Sequence, residues 1–211
     1  MKAPIAAVAL VMATLCSADR LSTRVEMPGW SIESSECIWA GARHSGYPIW
    51  HLIDGKPETT WAFSGLAYPK LSSKLKHDGL EEEFWIRFAP SRETEIDELR
   101  LMNGYNKSEA LFFKNSRVTE IKIFDSYPYD YPATGKVQRT PLRTVALSDK
   151  PGMKSVRVPK KRYRELYVLF SGITKGRIDD LCISEMMPRA GGHDLITYRG
   201  VMLFGYGSDC G

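Results

Sequence analysis

Leu99-Arg100-Leu101 leads into Asn103-Gly104-Tyr105-Asn106-Lys107-Ser108, and Ile121-Lys122-Ile123 follows. Apolar residues alternating with polar ones at a period of two build strands that bury one face. Between these two strands the chain is dense in aromatic, amide and cationic groups. The alternation recurs in Phe84, Ile86 and Phe88, set between Trp85 and Arg87, and in Leu166, Val168 and Phe170. Further candidates are Ser31 to Ala40, Leu142 to Leu147, Lys154 to Val158 and Leu181 to Met186. Long helical periodicity is nearly absent. About eight strands punctuated by Gly, Pro, Asn, Asp and Ser predict an all-β fold, an antiparallel jelly-roll β-sandwich with long loops. Three of those loops stand out: residues 65–79, polar and basic; 125–136, which alternates Tyr with Pro and Asp; and 103–116, with room for a short helical turn. Long loops on a rigid β scaffold are where recognition resides.

The flanks read differently. Lys2, the apolar run Ile5 to Leu15 and the small residues Cys16-Ser17-Ala18 predict a signal peptide over 1–18 and an exported protein. That run falls short of the roughly 20 residues a transmembrane helix needs, so no membrane anchor is expected. Cys16 as a lipoprotein site is the lesser reading, because Leu15 puts a bulky residue directly before it. Residues 19–30 then form a lead-in and 31–187 the sandwich. From Pro188-Arg189-Ala190-Gly191-Gly192 a linker leads into a C-terminal extension ending at 211, in which Ile196 to Gly207 either adds a strand pair or docks loosely.

Charge and chemistry narrow the function. The formal net charge of +4 falls to +3 once Lys2 is removed with the signal segment, too little for bulk nucleic-acid binding. His44, His51, His77 and His193 show no HExxH spacing, no cysteine pair makes a zinc site, and there is neither a Gly-x-Ser-x-Gly elbow nor a phosphate loop. Glu81-Glu82-Glu83 and Asp179-Asp180 read as solvated charges before they read as a hydrolase pair. Lys160-Lys161-Arg162-Tyr163-Arg164 reads as a solvated turn. Tyr127, Tyr129 and Tyr131 are either a stacking platform or a loop packed on its own rings. Export leaves Cys37, Cys182 and Cys210, an odd number. A Cys37–Cys182 bridge would tie the first strand to the last, a closure that contributes roughly 3 to 5 kcal/mol; Cys210 pairing with either stays open.

The ordered set Tyr47-Pro48-Ile49-Trp50-His51-Leu52-Ile53-Asp54-Gly55, Thr59-Thr60-Trp61, Gly79 to Ile86, Asn103 to Ser108, Asn115-Ser116-Arg117 and Asp180-Leu181-Cys182-Ile183-Ser184-Glu185 resembles the NADase-type glycan-binding domain. That family is similar to discoidin, or coagulation factor 5/8 type C, domains and to galactose-binding-like jelly rolls, and the resemblance spans 31–187. It implies binding of a glycan or cell-surface carbohydrate, not catalysis. It also implies a structural calcium ion. The candidate oxygens are the backbone of His51, the carboxylate of Asp54, the backbone of Lys56, the hydroxyl and backbone of Thr59, and the carboxylate of Glu185. A metal-free turn, with Asp54 accepting hydrogen bonds from around Thr59, is the other reading. For the ligand surface the resemblance points to Trp61, Tyr105, Lys107, Asn115 and Arg117, because rings stack on sugar C–H faces while amides and cations pair with hydroxyls. Core packing for Trp61 and turn fixing for Asn103 and Asn115 are the competing roles. A protein-binding adhesin or accessory subunit of an envelope complex is the alternative function, with the tail after Pro188 as its contact; a lipid reader using the Ala62 to Tyr68 loop is a third.

Overall fold

The computed structural model describes residues 23–34, 49–63, 84–133 and 135–196. In chain order the strands are β1 (Thr23–Met27), β2 (Trp30–Ser34), β3 (Trp61–Phe63), β4 (Phe84–Pro90), β5 (Thr94–Asn103), β6 (Asn115–Phe124), β7 (Tyr129–Asp130), β8 (Val137–Gln138), β9 (Arg143–Ala146), β10 (Met153–Tyr163), β11 (Leu166–Thr174), β12 (Ile178–Ala190) and β13 (His193–Asp194). A 3₁₀ helix covers Ile49–Ile53, and one short α-helix, α1, covers Glu109–Lys114.

Two layers form the expected sandwich. One runs β1-β2-β4-β11-β6 with β9 outside β6, all antiparallel. The other pairs β12 with β5 and β3, and β5 with β10. Strand β6 belongs to both, because Asn115 and Ser116 run parallel beside Ile178 and Leu181 before the strand turns to pair with β11. The core lies between the layers, where Ile86, Phe88, Ile121, Ile123, Val168 and Phe170 meet Leu99, Leu101, Val156, Val158 and Ile183. Each such side chain contributes about 1.5–3 kcal/mol by leaving water. Alternation along β4 is strict, and its register against β11 keeps Phe88 opposite Leu166 and Ile86 opposite Val168.

Outside the β4/β11/β6 layer lies a second small core of Phe124, Tyr129, Tyr167 and Leu169, with Trp85 and Tyr127 at its margin. The tyrosine-rich loop packs on its own rings. Tyr127 meets Trp85 edge-on with centroids 6.0 Å apart, and stacks on Tyr131 at 20°. The basic run closes β10 rather than forming a turn, and β10 is an edge strand. Charges, Pro159 and a register shift between Arg157 and Lys161 keep that edge from pairing with another chain. Lys160 pairs with Glu95, Lys161 with Asp125 and Arg164 with Glu93.

The segment expected as a linker at 188–192 is strand and turn. Strand β12 runs unbroken to Ala190, with Pro188 opposite Leu99 and Arg189 opposite Glu98. Gly191 and Gly192, both at positive φ, turn it into β13, and Ile196 is buried beyond that. The lead-in likewise supplies β1. Cys37, Cys210, the signal segment and the 65–79 loop lie outside the described residues. Cys182 is buried with a free thiol, which burial pushes up to about 12.

Candidate functional site

The β5–β6 loop is fixed at its neck. Buried Asn103 donates from Nδ2 to the Val118 carbonyl at 2.6 Å, and its Oδ1 accepts from the Val118 amide at 3.1 Å. Gly104 follows at φ 76°, where its amide donates to the Cys182 carbonyl at 3.0 Å and its carbonyl accepts from the Ser184 amide at 3.1 Å. A Cβ there would lie 2.6 Å from Phe112 in a left-handed backbone, so only glycine lets the loop lie flat on β12.

Two polar side chains then gather the neighbouring loops. Ser184 Oγ accepts from the Asn106 amide at 3.0 Å and directs its proton toward the Gly104 carbonyl at 3.1 Å and the Pro57 carbonyl at 3.3 Å. Asn106 donates from Nδ2 to the Asn103 and Gly104 carbonyls at 2.7 and 2.9 Å, while its Oδ1 accepts from the Gly152 amide at 2.7 Å. The turn after the 3₁₀ helix, the β5–β6 loop, the β9–β10 loop and β12 thus meet at one end of the sandwich.

Helix α1 stands on this platform. Ser108 caps it by accepting from the Leu111 amide at 3.2 Å, and Asn115 closes it by donating to the Leu111 carbonyl at 2.8 Å. Six residues of helix bury one of two consecutive phenylalanines, so Phe112 is fully enclosed and Phe113 is 46% exposed. Beneath them Arg117 is only 4% exposed. Its Nε and Nη2 bind the Asp149 carboxylate at 2.5 and 2.9 Å, its Nη1 reaches the Asn115 and Phe112 carbonyls at 2.9 and 3.2 Å, and its guanidinium lies 5.0 Å from the Phe112 ring centre. The Arg117 hydrogen bonds hold the Asp149 carboxyl below the usual range.

Of the residues expected at the ligand surface, only Tyr105, partly exposed, and Lys107, exposed, reach it. Trp61 is buried against Phe170, with ring centres 6.3 Å apart, Asn115 is a helix cap, and Arg117 is a strut under the loop. Phe113 went unnoticed in the sequence; the one signal for it was the helical turn expected in 103–116.

The proposed cation ligands also meet. Asp54 Oδ1 accepts from the Lys56 amide at 3.0 Å and Thr59 Oγ1 at 2.9 Å, and its Oδ2 lies 2.8 Å from Thr59 Oγ1. The Thr59 amide and hydroxyl reach the Lys56 carbonyl at 3.1 and 2.8 Å, and His51 Nδ1 lies 2.9 Å from the Thr60 carbonyl. These are the bonds of a self-sufficient turn. Glu185 breaks that account. It is 1% exposed, and neither of its carboxylate oxygens has a hydrogen-bond partner among the described residues. Burial first, and the Asp54 charge second, push its carboxyl up to about 8. Among the described residues no group of three or more His, Cys, Asp or Glu side chains is placed to hold a metal ion, so a cation here would rely on two carboxylates and on carbonyl and hydroxyl oxygens. Such oxygens fit a hard cation, and Lys56, whose side chain is exposed, offers the site its carbonyl alone.

The sequence model of the NAD glycohydrolase translocation F5/8 type C domain matches residues 33–188. The chain belongs to that family. In this translocation F5/8 type C domain the match takes in β3 to β11 whole and ends inside β12, two residues before that strand does. No curated protein matches the chain. Among solved structures it is similar to the CBM32-1 and CBM32-2 domains of Clostridium perfringens ZmpB in complex with GalNAc, at 13% identity and TM-score 0.47, over 78% of this chain and 34% of that one. The family 32 CBM of C. perfringens NanJ in complex with galactose gives 11% identity and TM-score 0.44, over 79% and 97%. The F5/8 type C domain of a Bacteroides fragilis protein gives 14% and 0.47, over 79% and 95%. Against several of these structures the chain spans only about a quarter to a third of their length. No helix of the described residues is long and apolar enough to cross a membrane.

Proposed function

We propose that this protein is an exported, non-catalytic carbohydrate-binding module whose ligand meets the loop end built around Tyr105, Lys107 and Phe113. One observation carries the reading: Ser184 and Asn106 lock separate loops into a single platform that leaves a ring and cations at its surface. A platform held this way loses little entropy on binding, and weak sugar contacts need that saving. The family is consistent with a domain that binds and delivers rather than cleaves. Glu185, whose carboxyl burial pushes up to about 8, is 1% exposed. The segment 1–18 supports export.

A calcium ion at Asp54 and Glu185, with the Thr59 hydroxyl and backbone oxygens completing its shell, is part of this proposal. Bound there it would neutralise the buried Glu185 and the half-buried Asp54 and pin the turn on which the loop platform rests. The reading as a whole is tested on a glycan array with the intact chain and a Tyr105→Ala/Lys107→Ala double variant. Selective binding by the wild type, weakened about tenfold or more in the variant, is the expected result. Binding to no glycan, or binding indifferent to both substitutions, would overturn it.

A further inference from the structure

At the loop end the cations stand without carboxylate partners. Lys107, Lys114, Lys150, Lys175 and Arg177 are all exposed, and none makes an ion pair with a described residue. Elsewhere Lys160, Arg164, Arg139, Arg189 and Arg87 pair with Glu95, Glu93, Asp130, Glu98 and Glu33. Asp149, next to Lys150 in the chain, is already paired with Arg117.

The fold forces these residues together. Gly176 lies so close to the end of α1 that a Cβ on it would sit 2.4 Å from the Lys114 carbonyl oxygen. Its amide donates to Ser116 Oγ at 3.1 Å, which in turn donates to the Ile178 carbonyl at 3.1 Å. The backbone that carries Lys175 and Arg177 is therefore held against the end of α1, beside Lys114. At the other end of the helix, the Asn106 bond to Gly152 sets Lys107 beside the loop that carries Lys150. Phe113, next to Lys114 in the same helix, is braced at 89° by Phe112 with ring centres 5.1 Å apart and by the Arg117 guanidinium 5.3 Å from its ring centre.

We propose that this end selects acidic glycans, those bearing carboxylate or sulfate groups, with Phe113 stacking on a sugar face while Lys114, Lys175 and Arg177 receive the anion. The proposal rests on the carbohydrate-binding reading and names its ligand class. Neutral sugars give unpaired cations nothing to do, whereas an anionic one relieves their mutual repulsion. A six-residue helix runs about 9 Å, so a ligand reaching both cation groups is an oligosaccharide. An anionic membrane would also use the charge, but among the described residues Phe113 and Met153 are the large apolar side chains exposed near this end, too little surface for insertion.

The test uses the intact chain on an array of matched pairs: uronic-acid oligosaccharides with their neutral methyl esters, and sulfated oligosaccharides with their desulfated forms. The expected result is about tenfold tighter binding to the charged partner of at least one pair, erased when sodium chloride rises from about 50 to about 500 mM. Lys114→Gln/Lys175→Gln/Arg177→Gln should bring charged and neutral forms to the same affinity, with an unchanged melting temperature. Phe113→Ala and Phe113→Leu should weaken both forms alike; binding retained by the leucine variant overturns the stacking role. Equal binding to both members of every pair overturns acidic selectivity and leaves carbohydrate binding intact. Binding to no glycan overturns both. Flotation with phosphatidylserine vesicles, lost in the triple variant while no glycan binds, would reassign the surface to lipid.

Discussion

Glu185 is the residue whose environment is hardest to reconcile with an isolated polypeptide. Its carboxyl is raised from the usual 4.5 to about 8, so the folded chain keeps a proton that the unfolded chain has released. Stability without cation therefore falls as pH rises between these values and levels off above about 8, with a slope of at most about 1.4 kcal/mol per pH unit. Glu185→Gln, which cannot ionise, should flatten the curve of melting temperature against pH measured in chelator, and should be the more stable protein at pH 8. Millimolar calcium should raise the wild-type melting temperature at that pH and raise that of Glu185→Gln by clearly less, because the variant leaves Asp54 as the ion's one carboxylate counter-charge. A wild-type melting temperature indifferent to both pH and calcium would dismiss the cation. Arg117 is the opposite case, a buried charge with its donors satisfied. Arg117→Met keeps some bulk but strands the Phe112 and Asn115 carbonyls, and a loss of about 2–4 kcal/mol in denaturant unfolding is expected.

Among the elements, the β5–β6 loop with α1 shows how backbone space sets a surface. Gly104→Ala adds a left-handed penalty to a clash with Phe112, and Gly176→Ala drives a methyl into the Lys114 and Asn115 backbone. Each should cost about 1–3 kcal/mol from overpacking, Gly104→Ala the more of the two because strain of about 1–2 kcal/mol is added. Denaturation midpoints of the two variants against wild type check this. The loop's rings, amides and cations were legible in the sequence. Which of them face outward was not. Asn115 through Val118 are all buried, because one side of β6 meets the core while the other is roofed by α1 and the Gly176 loop. Alternation reveals a strand's first buried face; a second buried face depends on chain arriving from elsewhere. The same holds for Tyr167 and Leu169 on β11, covered by the tyrosine-rich segment.

On the scale of the molecule, β12 is the strand that joins everything. It pairs with β3, β5, β6 and β13 and carries Cys182, Ser184 and Glu185 past both loop clusters. Removing its last residues opens the β5 pairing. A chain ending at 187 should melt at least about 5 °C below one ending at 196, compared by thermal denaturation. Equal melting temperatures would show that the β12–β13 hairpin contributes nothing. Period-two alternation by itself determined the two-layer all-β architecture, because a strand half-buried in any sandwich must repeat every second residue. It also set the bounds of the loop in which rings and cations are concentrated, since those residues lie between two alternating strands whatever they pack on. Only the tertiary structure decided that Arg117 supports the site from beneath, that Phe113 faces solvent, that Lys175 and Arg177 stand beside Lys114, and that Glu185 is enclosed near Asp54. Those are contacts between segments far apart along the chain, and no local pattern encodes which distant segment will cover a given side chain.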